Sequence, residues 1–158
     1  MKLWPMLTRL CSRFAPRAAL RIVVDTNILI SGTIAESGFP ARIVDAAIAG
    51  RIRFVVSAIL VDEYLEVIER PHIARKYPQI QERVDKIRRY LHLDTIFVTG
   101  IPSAPIVSGD PDDDFILACV EEGRAHYVVS GDHHLLDLHE YRGAKILTPR
   151  EFVTKVLP

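Results

Sequence analysis

Four acidic residues of this chain stand where an apolar run ends or begins: Asp25, Glu63, Asp114 and Asp132. Asp25 closes the run Arg21-Ile22-Val23-Val24, and Asp132 follows Val128-Val129-Ser130-Gly131. Asp114 opens the apolar stretch Phe115 to Val120, and Glu63 lies six residues beyond Ser57. Each acid also has a plainer role. Asp25 suits a helix cap, Glu63 suits a solvated helix face, and acids are common in a first helical turn. Together they ask for more. Asp110, Asp112, Asp113 and Asp114 crowd four carboxylates into five positions, and like charges so close repel unless a cation or a helix end offsets them. Carboxylate oxygens are the ligands that suit magnesium and manganese. Such a bound ion activates water and offsets the charge that develops on a phosphodiester during in-line displacement. No Ser/His/Asp arrangement, nucleophilic cysteine or Gly-rich phosphate loop competes with this chemistry.

The elements that must position these residues alternate in type. Arg21–Val24 reads as a buried parallel strand, followed by a short helical stretch from Thr26 to Ser31 and a loop from Gly32 to Gly38. A helix with Pro40 in its first turn runs to Gly50, and Arg51–Val56 is the second strand. Ser57 caps a helix that ends before Pro71, with Ile59, Val61, Leu65 and Ile68 as its buried stripe. Pro71 to Pro78 reads as a connector, Gln79 to His92 as a helix and Thr95 to Val98 as a strand. Gly100 to Gly109 is a loop. Asp112 or Asp113 caps the next helix, and Asp114 is the acid most directed inward. Arg124 to Val129 forms a core strand, and His133-His134, adjacent and so on different helix faces, read as exposed. Lys145 to Leu147 is a last strand, and a helix from Pro149 closes the chain. This alternation predicts an α/β fold, a three-layer α/β/α sandwich with a mostly parallel sheet. Right-handed crossovers then place all four acids along the carboxyl edge.

Composition sets bounds. The chain has 158 residues, enough for one domain with a sizeable core. Formal net charge is zero, with 20 basic and 20 acidic residues, so nucleic acid would have to be held by local arginines or bridging metal ions. Lys2, Arg9, Arg13 and Arg17 make the opening segment basic, and residues 1–20 are expected to lie outside the fold, with the domain at 21–158. The two cysteines, Cys11 and Cys119, form neither a metal spacing nor a disulfide framework. They read as reduced thiols of a cytoplasmic protein, and no apolar run approaches a membrane span.

Four motifs in order carry a resemblance: Val23-Val24-Asp25-Thr26-Asn27, Ser57 through Glu63, Asp110-Pro111-Asp112-Asp113-Asp114, and Ser130-Gly131-Asp132 with Leu135-Leu136. The ending from Tyr141-Arg142-Gly143 to Leu147-Thr148-Pro149-Arg150-Glu151-Phe152 adds to them. From about Arg21 to about Val156 the chain resembles a PIN domain, most closely the bacterial PIN-family toxins of toxin–antitoxin systems. The resemblance implies a metal-dependent endoribonuclease acting on single-stranded RNA, often dimeric and often inhibited by an antitoxin protein. It implies that Asp25, Glu63, Asp114 and Asp132 are the first to fourth acids, holding Mg2+ or Mn2+. Asn27 and Ser130 take supporting polar positions, and Asp113 is an alternate for the third acid. Relatives often carry an acid where His134 stands. Two readings compete: a structure-specific DNA nuclease using the same acids, and a non-catalytic PIN-like module acting through protein contacts.

Overall fold

The computed structural model describes residues 19–103 and 111–157. Most of the basic opening segment, and the loop expected up to Gly109 from residue 104 on, lie outside the described residues. Strand β1 is Leu20–Val24 and β2 is Ile52–Ser57. Strands β3 (Ile96–Val98), β4 (Tyr127–Val129), β5 (Glu140–Tyr141) and β6 (Ala144–Leu147) complete a six-stranded sheet in the order β3-β2-β1-β4-β6-β5. Every pairing is parallel except the β5–β6 hairpin at one edge. The chain builds outward from β1 to β2 and β3, then crosses back to β4 on the other flank of β1. The winding direction therefore reverses between β1 and β4, where open α/β sheets have their ligand crevice.

Helices cover both faces, as the alternation of types predicts. Ile22, Val24, Phe54, Val56 and Val129 pack on one face under α1 (Thr26–Ile34), α2 (Phe39–Ile48), α3 (Ala58–Ile68), α5 (Gln81–Leu93) and α8 (Pro149–Lys155). Val23, Val55, Val128 and Ile146 face the other way. They meet Ile116, Leu117, Cys119 and Val120 of α6 (Pro111–Gly123) and Leu135 of α7 (His133–Leu136). Successive strand residues thus enter opposite cores, the period-two signature of a sheet buried on both sides.

Several expectations need correction. The loop expected from Gly32 is still helix as far as Ile34. Gly32 is buried so close to the Pro40 carbonyl that a Cβ would lie 2.6 Å from its oxygen, so the glycine serves α1–α2 packing rather than a break. The connector after Pro71 contains α4 (Pro71–Lys76), with proline at its start, and a 3-10 turn over Pro78–Ile80 precedes α5. On α3 the buried positions are Leu60, Val61, Tyr64 and Ile68, while Ile59 is 38% exposed. Leu60 reaches the core on the α6 side of the sheet, which turns the first helical turn away from the expected stripe. Asp112 and Asp113 do not cap α6, because the helix already starts at Pro111 and both lie inside its first turn. The strand expected from Arg124 begins only at Tyr127, since Arg124 closes α6 in a left-handed conformation (φ 48°). The β5 strand, two residues long, carries no pattern long enough to read.

Candidate active site

Asp25 follows β1 directly, and its N–H still donates to the carbonyl of Val129 at 3.0 Å. The residue then caps α1: Oδ1 accepts the backbone N–H of Asn27 at 3.0 Å. Its other oxygen, Oδ2, accepts the Ser130 hydroxyl at 2.7 Å. The register pairs Val24 with Val129, so the residues just past β1 and β4 meet across the winding reversal. The Ser130 oxygen in turn accepts the backbone N–H of Asp132 at 3.0 Å. Asp132 caps α7 through the N–H of His134 at 2.8 Å. One buried hydroxyl therefore orients both the Asp25 carboxylate and the segment that carries Asp132.

Glu63 comes from α3. Its Oε2 accepts the Thr26 hydroxyl at 2.8 Å, which fixes the second acid beside the residue that follows Asp25. Thr26 is a site residue that the sequence reading passes over. The signal available is a hydroxyl at the first helical position after the acid. Asn27 is exposed, and the bond it gives Asp25 comes from its backbone rather than its amide side chain. Asp113 and Asp114 lie in the first turn of α6, 5% and 6% exposed, and Asp25 is 9% exposed. Asp113 and Asp114 are buried alike, where Asp114 is expected to be the acid most directed inward.

Polarity is buried almost entirely along this edge. Among the described residues the buried polar side chains are Asp25, Thr26, Thr33, Ser57, Asp113, Asp114 and Ser130, and of these only Thr33 lies away from a strand end or from the start of α1 or α6. Burying ionised carboxylates is costly unless they are paired or hold a metal. A set of carboxylate oxygens backed by hydroxyl and amide donors is the donor chemistry that a hard divalent cation takes, so the residues fit such an ion.

No three of the candidate acids among the described residues bring carboxylate oxygens mutually within 4.8 Å. Among the described residues, Asp132, His133 and His134 form the group of three acid or imidazole ligand atoms that lie mutually within 4.8 Å. The two histidines are exposed, as expected, but their rings sit 4.0 Å apart. The rule that adjacent residues diverge holds for a regular helix, and α7 is barely one turn long.

The PIN domain family model matches residues 21–134, which span β1 to the start of α7 and every residue of the site. The chain belongs to the PIN domain family. PIN domains are generally divalent-metal-dependent nucleases, so this PIN domain falls in a family of phosphodiester hydrolases. It is also similar to an uncharacterized protein of Methanocaldococcus jannaschii, MJ1680, at 24% identity over 142 residues, covering 85% of this chain and 90% of the relative. Among the described residues, no helix of this PIN domain is long and apolar enough to cross a membrane.

Proposed function

We propose that this PIN domain is a metal-dependent endoribonuclease and the toxin of a toxin–antitoxin pair. The observation that carries the catalytic part is the burial of Asp25 in the Asp25–Ser130–Asp132 relay at the winding reversal, with Asp113 and Asp114 buried in the first turn of α6. Asp25, Glu63, Asp114 and Asp132 are the residues assigned to hold Mg2+ or Mn2+, with Asp113 beside Asp114. When bound, the ion supplies an activated water and offsets charge on the phosphodiester. The chain's own residues prepare that chemistry. Ser130 holds the Asp25 carboxylate by donating to Oδ2, and the Asn27 N–H holds Oδ1. Glu63 is exposed, and the Thr26 hydroxyl fixes one of its carboxylate oxygens beside the start of α1. These bonds remove rotamer freedom before substrate arrives, which lowers the cost of assembling the site.

RNA as substrate, an inhibiting antitoxin, a homodimer and a cytoplasmic setting are supported by the resemblance to PIN-family toxins. The catalytic fold is assigned to the chain from β1 onward. Parallel digestion of end-labelled single-stranded RNA, single-stranded DNA and a flapped DNA duplex tests the substrate class. Cutting of RNA with both DNAs intact is the expected outcome. Preferential cutting of the flap would replace the ribonuclease by a structure-specific DNA nuclease.

A further inference from the structure

The charge is reversed at the opposite edge of the sheet. The starts of β1, β4 and β6 and the end of α6 border a cleft of about 510 Å³, within the ~300–1,000 Å³ span of ligand sites. Arg21, Arg124, Arg142 and Lys145 line it, with His126 beside them and Glu121 as the acid. Four cations against one carboxylate leave a local charge of +3, on a chain whose formal total is zero. Glu121 pairs with Arg142 at 3.1 Å. His126 accepts the Arg21 backbone N–H at Nδ1, 3.0 Å away, which keeps the ring proton on Nε2 as a donor.

Two of these arginines stand where the backbone favours another residue. Arg124 closes α6 at φ 48°, with the Ala125 N–H bonding back to the Val120 carbonyl at 3.1 Å. That left-handed cap is ordinarily glycine. Arg142 at φ 50° and Gly143 at φ 83° make the two-residue turn between β5 and β6, a turn that favours Asn-Gly. Among the described residues the non-glycine positive-φ positions are Arg124, His139 and Arg142. Two strained positions that each bring a guanidinium to one cleft point to a use for the charge.

We infer that this cleft binds phosphates of the single-stranded RNA backbone, away from the bond that is cut. The inference rests on the RNA reading above. Guanidinium groups take phosphate oxygens in a two-pronged fashion, and a chain of zero net charge has to draw RNA through local patches. Arg21 lies four residues before Asp25 on one strand, about 13 Å away at strand rise. The cleft therefore engages nucleotides outside the scissile pair and lengthens the footprint on the substrate.

The test uses the full chain carrying Asp25→Asn, so that RNA stays intact, and a fluorescent 20-nucleotide single strand. Anisotropy titrations between 50 and 200 mM salt compare it with chains that also carry Lys145→Glu or Arg124→Gly. Each second change is expected to weaken binding roughly tenfold and to flatten the slope of log affinity against log salt by about one. Arg124→Gly is further expected to raise the melting temperature, because glycine suits the left-handed cap. Lower affinity in a more stable protein is an outcome that a purely structural role does not give. Unchanged affinity and salt slope in both variants would overturn the inference. Displacement of the RNA by pyrophosphate but not by polyglutamate of equal charge supports phosphate recognition, and equal displacement by polyglutamate would overturn it. Cleavage of the same 20-nucleotide strand by the chain with Asp25 restored keeps the two readings separate. If it persists while the cleft variants bind RNA normally, the cleft fails alone. If it is absent while those variants lose RNA binding, the nuclease fails alone.

Discussion

Ser130 shows how one side chain decides the geometry of the site. Its hydroxyl donates to Asp25 Oδ2 and its oxygen accepts the Asp132 N–H. Ser130→Ala removes both bonds and leaves the Asp25 carboxylate held only through Oδ1, by the Asn27 N–H. Supporting hydrogen bonds to metal ligands are worth about 10–100-fold in metal affinity, and a loss in that range is expected in a manganese titration by calorimetry. An unchanged affinity would show that Asp25 needs no such support. Asp25, Asp114 and Asp132 are readable because an acid beside a long apolar run breaks the pattern. Thr26 is not, because a threonine at a helix start has a local use of its own and nothing in the sequence shows its reach to Glu63. Cys119 reads correctly as a core thiol: it is fully buried, and burial pushes its pKa up to about 11. In a Cys11→Ser background it is expected to resist a thiol reagent at pH 8 until the protein is unfolded in guanidinium. Stoichiometric labelling of the native protein would contradict that burial.

At the scale of elements, close packing explains what periodicity misses. The main strands and helices are legible from buried runs, caps and prolines. The carry-over of α1 past Gly32 is not, because it depends on α2 leaning on that glycine. A second close approach joins α6 to the sheet: a Cβ on Gly123 would lie 2.3 Å from Val55 Cγ1. Gly123→Ala is therefore expected to destabilise the fold by about 1–3 kcal/mol, the usual range for overpacking, read as a lower urea midpoint. No change would mean that α6 can slide off β2. The start of α8 gives a pH dependence. Thr148 and Glu151 form a reciprocal capping box, and Lys155 bonds the same glutamate. Lys155 and Thr148 hold the Glu151 carboxyl down at about 2, below its ordinary 4.5. A depressed carboxylate pKa stabilises the fold above the unfolded value, and that stabilisation is lost as pH falls from about 4.5 toward 2. Thr148→Ala is expected to shrink the difference in urea midpoint between pH 6 and pH 3. An undiminished difference would place the acid sensitivity elsewhere.

The whole molecule is polarised along its strands. The acids lie where β1 and β4 end, in the first turn of α6 and midway along α3, and the cationic cleft lies where β1, β4 and β6 begin. Total charge conceals this, because a formal sum of zero says nothing of where the 20 basic and 20 acidic residues lie. The three-layer class and the acid edge follow from sequence order and right-handed crossovers. The cationic edge does not, since Arg21, Arg124, Arg142 and Lys145 are scattered through the chain and meet only after the sheet has formed. The position of Asp25 at the winding reversal, with both oxygens held, makes it the residue on which metal-dependent cleavage should depend. The decisive measurement is cleavage of labelled single-stranded RNA by the wild-type chain and Asp25→Asn, side by side, in manganese and in EDTA. Cleavage by the wild type in manganese alone, with a loss of at least about a hundredfold in Asp25→Asn, in line with removal of a principal electrostatic catalytic group, is the expected result. Equal cleavage by both proteins, or cleavage that survives EDTA, would contradict the assignment of this edge as the catalytic centre.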